Sequence, residues 1–407
     1  MIIIFYRSIK FLILFIKKVT VEKKMKIAHI SDLHLGKTLH GFSLIEDQKF
    51  ILDEIVKILA EKKVDVLLIC GDIYDKNIAS VEGIMLLRKF LNSLVEKKIK
   101  VLLISGNHDS AERLTFGAEF MSEKGIYFSR IYDGTVEKIT LSDEFGNVNF
   151  YLLPFIKPQI VRHCFPEENI ESYDDAVRCA VEHCKKDNNF NKNERNVILA
   201  HQNIMSAKRC ESEEISIGGQ DSVNVDIFKD FDYVALGHIH RPQKIANAVY
   251  CGTPLKYSVS ELNDEKNLPI LDFGKKTEEK FLFSTEKPAL KPLREIRQIR
   301  GNLNEILFRA KDDPYNPEDF IDVILTDENE CLDAMAQLKK AYKNTLRISF
   351  DNLNTQNLLK AEKFERLNLN NPLEIFEKFY ESRRNAKMDS EQKKYIQNLV
   401  DEIWGEN

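Results

Sequence analysis

The chain has 407 residues, more than one hydrophobic core usually organises, so two or three domains are expected. With 43% hydrophobic and 30% charged residues the composition is that of a globular protein, which disfavours both disorder and a membrane bundle. A net charge of -5 excludes little, because nucleic-acid binding needs local positive charge, part of which bound divalent cations can supply.

At the N-terminus the apolar stretch Ile2 to Ile16 is interrupted by Arg7 and Lys10, and it falls short of the ~20 residues that cross a bilayer. Lys17-Lys18 follow with no small-residue cleavage site, so Met25 reads as the start and residues 1–24 as a leader that need not be translated. A membrane-associating leader is the alternative. The seven cysteines are odd in number, scattered and free of any CxxC pair, which predicts neither a disulfide nor a zinc framework and suits a reducing cytoplasm.

From Met25 the pattern alternates. Lys26–Ser31 is strand-like, Ser43–Lys62 helix-like with a Ser43/Glu46 capping box and an apolar stripe at Ile51, Ile55, Ile58 and Leu59. A strand over Asp65–Cys70, a helix over Ser80–Lys97 and a strand over Lys100–Ser105 continue the βαβ grammar. Asn147–Phe155, a helix over Ser172–Lys186, and strands at Asn196–Ala200, Phe231–Leu236, Val249–Cys251, Leu268–Phe273 and Lys280–Phe283 follow. This much strand predicts an α/β (α+β) fold with two packed sheets flanked by helices over residues 25–284.

Beyond Pro292 a compact β-α-β-α-β pattern marks a small α/β second domain over 285–350, with alternation at Ile321, Val323, Leu325 and at Leu346, Ile348, Phe350. A polar linker, 351–371, leads to a C-terminal helix pair within 372–407. The face Ile396, Leu399, Val400, Ile403, Trp404 needs a cover, which is either a partner or the protein's own surface.

Five apolar runs each end in a metal-ligand side chain: Asp32 and His34 after KIAHIS, Asp72 after DVLLIC, Asn107 after KVLLIS, His201 after NVILA, and His238 and His240 after YVAL. Ligand sites in α/β sheets gather at the carboxyl ends of strands, so five such ends can surround one site. Spacing i, i+2 places Asp32 with His34, and His238 with His240, on one side of an extended segment. Gly71, Gly106 and Gly237 precede the ligands where the backbone must turn and allow close approach.

Two carboxylates, one amide oxygen and four imidazoles suit two divalent ions without thiolate, favouring Mn, Fe or Zn over calcium, with Mn preferred. The expected assignment is Asp32, His34, Asp72 and His240 to one ion, and Asp72, Asn107, His201 and His238 to the other, with Asp72 bridging. Ions about 3.5 to 4 Å apart would clamp the attacking and leaving oxygens of an in-line phosphoryl displacement and make hydroxide available at neutral pH. His108, one step beyond Asn107, is the candidate to stabilise the transition state or protonate the leaving oxygen, and Asp75 the candidate to orient it, or else a solvated turn residue. The Cys179, His183, Cys184 cluster lies beside a helical stripe and reads as core packing.

In order, D-x-H, GD-x-x-D, GNHD, an isolated His and GHIH resemble the calcineurin-like metallophosphoesterase superfamily. Within it, GDIYD, GNHDSAERL, SIGGQDSV, DYVALGHIHRPQ and CGTPLKYSVSE are similar to the SbcD family, the nuclease half of bacterial SbcCD complexes. That resemblance implies a two-sheet metallophosphoesterase sandwich and a Mn-dependent nuclease: a 3' to 5' double-strand exonuclease, a single-strand endonuclease and a hairpin opener, in DNA repair and recombination. It implies a homodimer bound to SbcC, an SMC-like ATPase, through the C-terminal helix pair; 285–350 as a DNA-capping domain; double- and single-stranded DNA as partners; and a cytoplasmic, nucleoid-associated location without membrane. A phosphoprotein phosphatase or small-molecule phosphodiesterase is one rival, disfavoured because Lys76-Asn77 follows Asp75 where such phosphatases carry Arg-Gly. A non-catalytic scaffold for DNA ends is the other.

Overall fold

The computed structural model describes residues 24–213, 221–276, 281–329, 331–352 and 387–404, with scattered positions between 373 and 381. It divides into two compact units, one reaching Leu293 and the other beginning at Arg294. The leader 1–24 is outside the described residues apart from Lys24.

The first unit opens with β1 (Met25–Ile30), a short hairpin of β2 (Thr38–Leu39) and β3 (Phe42–Ser43), α1 (Ile45–Glu61), β4 (Val66–Cys70), α2 (Val81–Glu96) and β5 (Lys100–Ile104). It continues through β6 (Ile126–Phe128), β7 (Glu137–Asp143), β8 (Gly146–Leu152), α3 (Tyr173–Asp187), β9 (Arg195–His201), β10 (Asn203–Ile204) and β11 (Ser222–Val223). Then come β12 (Tyr233–Gly237), β13 (Gln243–Ile245), β14 (Ala248–Tyr250), β15 (Ile270–Lys276) and β16 (Phe281–Glu286).

Two six-stranded sheets result, in the orders β16-β15-β1-β4-β5-β6 and β13-β14-β12-β9-β8-β7. Strands β1, β4 and β5 run parallel, as do β9 and β12, so their carboxyl ends emerge together. Because side chains alternate across a sheet, one residue set faces each way. Ile27, Leu68, Leu102, Phe150, Val197 and Leu199 fill the core between the sheets. Ile198, Ala200 and Val234 face the other way, against Ala176, Val177 and Ala180 of α3. That helix starts at a capping box in which Ser172 and Asp175 satisfy each other's backbone N–H. The two-sheet expectation holds, and Cys179 and Cys184 lie in this core, with His183 stacked on Phe165.

Three details differ from expectation. The helix after β3 starts at Ile45 with Leu44 as its N-cap and no side-chain cap, because Ser43 is engaged in the hairpin with Thr38. Strands β6 and β7, with the short β2, β3, β10, β11 and β13, escape the sequence pattern; β7 is an edge strand with a mostly half-exposed face, so no apolar alternation marks it.

In the second unit β17 (Ile296–Gly301), α4 (Leu303–Arg309), β18 (Phe320–Leu325), α5 (Ala334–Ala341) and β19 (Thr345–Phe350) build a three-stranded parallel sheet in chain order. Ile321, Val323 and Leu325 pack with Leu303, Ile306 and Leu338 of the crossover helices. The third difference lies here. The β18–β19 register slips, so that Thr345 pairs with Ile321 but Arg347 with Asp322. The expected Leu346, Ile348, Phe350 alternation is broken: Ile348 joins the core while Phe350 is 44% exposed.

Most of the linker 351–371 and of the first C-terminal helix, 372–383, lies outside the described residues. The last helix, α6 (Ser390–Trp404), is formed, with Ile396, Leu399 and Val400 half-buried; the side chains of Ile403 and Trp404 are outside the described set. Among the described residues no helix is long and apolar enough to cross a membrane.

Candidate metal centre

The first sheet delivers Asp32 and His34 beyond β1, Asp72 beyond β4 and Asn107 beyond β5; the second delivers His201 as the last residue of β9 and His238 and His240 beyond β12. All seven converge, and all but the half-buried Asn107 are buried. Past the strands the chain segments stay paired, with Asp32 N–H on the Gly71 carbonyl and His34 N–H on the Asp72 carbonyl, both at 3.0 Å.

The glycines meet the packing demand expected of them. A Cβ on Gly106 would sit 2.1 Å from Asp72 Oδ1, one on Gly71 2.3 Å from His201 Nδ1, and one on Gly237 1.9 Å from the Cys70 carbonyl. Four of the seven candidate ligands hold left-handed backbone that non-glycine residues seldom adopt: Asp32 (φ 53°), His34 (φ 44°), Asp72 (φ 49°) and His238 (φ 92°). Each such residue costs on the order of 1–3 kcal/mol and persists where the surroundings over-determine it, typically at functional sites.

Inside the cluster, the potential metal-binding atoms meet one another. Asn107 Oδ1 lies 3.0 Å from both His201 Nε2 and His238 Nδ1. His34 Nε2 is 3.2 Å from His240 Nε2, and Asp72 Oδ2 lies 3.3 Å from His201 Nε2 and 3.7 Å from His34 Nε2. The groups Asp32/His34/His240, Asp32/Asp72/His201 and His34/Asp72/His108 each bring their ligand atoms within 4.8 Å of one another.

The outer ring nitrogens explain the inward ones. His201 Nδ1 lies 2.8 Å from the Cys70 carbonyl, which can only accept, so Nδ1 carries a proton, and it is Nε2 that faces the cluster and would give up its proton to serve as a ligand. His238 is turned the other way, with Nδ1 inward and Nε2 4.0 Å from Asp221 Oδ2. Buried acceptors aimed at one another are costly unless a cation lies between them. The donor set, oxygen and imidazole nitrogen without thiolate, fits divalent ions.

Among the protein groups alone, burial pushes Asp32 up, while for Asp72 the surrounding His201, His34 and His108 overcome burial and hold the carboxyl well below the usual range. His201 moves the opposite way, raised to about 9 by Asp72 against the effect of burial.

His108 is half-exposed at the rim, its backbone N–H on Asp72 Oδ1 at 2.9 Å. Its Nδ1 contacts Asp75, but through the backbone carbonyl at 3.0 Å. The Asp75 carboxylate instead takes Lys37 Nζ at 2.8 Å and lies 3.6 Å from His34 Nδ1. Burial works against ionisation there, and His34 and Lys37 overcome it, holding the carboxyl well below the usual range. Orientation of His108 by Asp75 therefore runs through the main chain, and no carboxylate–imidazole pair is needed.

Sequence reading passed over the groups that hold the ligands. Asp109 takes the N–H groups of Gly106 (2.9 Å), Ile73 (3.1 Å) and Tyr74 (3.0 Å), tying the Asp72 loop to the Asn107 loop. Burial, aided by Asp72, raises its carboxyl to about 6. Gln48 Nε2 holds the His34 carbonyl at 2.7 Å, and Tyr257 Oη the Leu33 carbonyl at 2.5 Å. Only the D of GNHD carried a usable signal, its place beside a candidate ligand.

Residues 25–242 match the calcineurin-like phosphoesterase model, and residues 292–384 match a model described as the type 5 capsule protein repressor C-terminal domain. The SbcD protein of the SbcCD nuclease from Staphylococcus epidermidis is 33% identical over 92% of this chain and 98% of its own length; that from Staphylococcus saprophyticus is 30% identical over the same shares. A solved dimetal phosphatase from Danio rerio covers 66% of this chain and 99% of its own at 11% identity and a TM-score of 0.39, too distant to bear on function. The site is thus that of a metal-dependent phosphoesterase, and the chain belongs to the calcineurin-like phosphoesterase family, in the SbcD branch of nucleases.

Proposed function

We propose that the chain is the Mn-dependent nuclease component of an SbcCD complex, hydrolysing DNA phosphodiester bonds as a 3' to 5' double-strand exonuclease and a single-strand and hairpin endonuclease in repair and recombination. The observation that carries the reading is the convergence of seven oxygen- and nitrogen-bearing side chains from five strand ends, their polar atoms meeting at about 3 Å. One ion would be held by Asp32, His34, Asp72 and His240, the other by Asp72, Asn107, His201 and His238. Bound there, the two ions supply charge neutralisation and activated water.

The chain's own residues do the rest. Asp72 would be shared by the two ions, and its Oδ1 accepts the His108 N–H. Because the Asp75 carbonyl can only accept, His108 keeps Nδ1 protonated and presents Nε2 at the edge of the cluster, 4.0 Å from Asp72 Oδ2, where it would hand a proton to the leaving 3' oxygen. Burial of the ligands keeps bulk water from competing. Relatives of this name at near full-length coverage support SbcC as partner, docked on the C-terminal helix pair, with residues 285–350 capping the DNA, a homodimer as the working form and the nucleoid as its location.

The test offers end-labelled duplex and a phosphopeptide to the full chain with Mn, with and without SbcC and ATP. Duplex degradation without phosphopeptide hydrolysis is expected. His108→Leu should lower the rate by about 10²–10⁴ with Mn binding intact. Degradation by Asn107→Ala or His108→Leu at the parental rate would overturn the reading in favour of a scaffold, and preference for the phosphopeptide in favour of a phosphatase.

A further inference from the structure

Behind His240, on the side away from the ligand cluster, lies a buried polar chain that the reaction does not use. His240 Nδ1 is 2.7 Å from Ser212 Oγ, and Ser212 Oγ is 2.8 Å from Glu261 Oε1. Glu261 Oε2 is 2.6 Å from Lys266 Nζ. Glu261 is fully buried and Lys266 only 6% exposed. The Ser212 segment lies between β10 and β11, and Glu261 lies 49 positions farther on.

We propose that Ser212 is a positioning residue for the metal centre: backed by Glu261 and Lys266, its hydroxyl fixes His240 in the tautomer whose Nε2 lone pair faces the cation. The inference rests on the reading of His240 as a ligand.

Counting protons gives the direction of every bond. Lys266 Nζ only donates, and it donates to Glu261; the Tyr257 N–H (3.2 Å) and Thr253 Oγ1 (3.3 Å) donate to the same carboxylate. With donors on every side, Glu261 accepts from Ser212 as well, and this uses the one proton of that hydroxyl. The Ser212 oxygen must therefore accept at its other contact, so His240 Nδ1 carries a hydrogen. Nε2 is left with its lone pair, aimed toward the point where His34 Nε2 arrives at 3.2 Å.

The same network pins the His240 main chain. Lys266 Nζ donates to its carbonyl at 2.9 Å, and Glu213 Oε1 accepts its N–H at 2.8 Å. Ring, amide and carbonyl of one residue are thus held by three side chains remote in sequence. Outer partners of this kind set both orientation and basicity of a ligating imidazole, and losing one typically lowers metal affinity about 10–100-fold.

The experiment uses the full chain and Mn²⁺ alone, titrated by calorimetry, with the His240 tautomer read from ring ¹⁵N shifts. Ser212→Ala should weaken one of the two binding events about 10–100-fold and release His240 into a tautomer mixture. Ser212→Thr, which keeps the hydroxyl, should restore both readouts. Glu261→Gln gives an independent variant: a side-chain amide can donate to Ser212, so its hydroxyl is freed to donate to His240 and Nδ1 loses its hydrogen. Parental Mn affinity with an unchanged tautomer in Ser212→Ala overturns the inference. His240→Ala separates the two claims: if it still binds two ions with parental affinity the ligand reading fails, and if it loses one while Ser212→Ala loses nothing, only the role of Ser212 fails.

Discussion

The two units bury charge in opposite ways. In the second unit Asp322 is fully buried, and its oxygens take Arg347 Nε and Gln298 Nε2, both at 2.7 Å. Asp319 likewise takes Arg297 Nε and the Glu295 N–H, both at 2.8 Å. Every one of these acceptors faces a donor, as a buried group must if it only holds a fold together. In the first unit, Asn107 Oδ1, Asp72 Oδ2 and the inward nitrogens of four histidines face one another, on backbone four of whose residues are left-handed. A fold spends stability on such an arrangement only where something else completes it. Opposed acceptors, more than burial itself, distinguish a site from a structural network.

The largest effect is expected of Asp72→Asn. The loss of a bridging carboxylate should cost hydrolysis on the order of a thousandfold or more, with circular dichroism checking that the isosteric amide keeps the fold. Hydrolysis within tenfold of the parent would show that the opposed acceptors are not the working centre.

His29 sharpens the comparison as an intermediate case. It is fully buried in β1, its Nδ1 lies 3.2 Å from Tyr233 Oη, and its Nε2 makes no hydrogen bond of good geometry. Burial, opposed by the Leu236 main chain, lowers its pKa to about 3. The unfolded chain then takes up a proton as pH falls through 6.5 while the folded chain does not, so the stability is complete above that pH and is lost below it. Between pH 6.5 and about pH 4.5 the loss amounts to roughly 2–3 kcal/mol. Denaturant melts of His29→Leu across that window should lack this part of the acid slope; an identical slope would dismiss the assignment.

The smallest effect is expected where every group is satisfied. Asp322→Ala leaves Gln298 and the half-exposed Arg347 without their acceptor, and should destabilise the second unit by about 2 kcal/mol after allowance for solvent around Arg347. Calorimetry should show Mn binding unchanged. A weakened Mn affinity would mean that the network serves the site as well as the fold.

Much of the site was legible in sequence because strand ends are local. An apolar run followed by Asp, Asn or His announces both where the strand stops and what it presents, and parallel β1, β4 and β5 then have no choice but to bring Asp32, Asp72 and Asn107 together. The Asp75 contact with His108 uses a carbonyl, which every residue has, so no motif can mark it. The roles of Ser212, Glu261 and Lys266 escaped for a different reason, although Glu261 closes the CGTPLKYSVSE segment: their partners are set by long-range packing, not by spacing.

The order of the principal strands and helices and the identity of the candidate ligands at the strand ends were therefore readable from the chain alone, since both follow from apolar periodicity and local chain reversal. Only the tertiary structure decided which nitrogen of each histidine faces inward, how Asp109 ties two loops together, and where the β18–β19 register slips. Those outcomes depend on which hydrogen-bonding atoms from distant segments meet in the interior, and a one-dimensional pattern carries no record of that meeting.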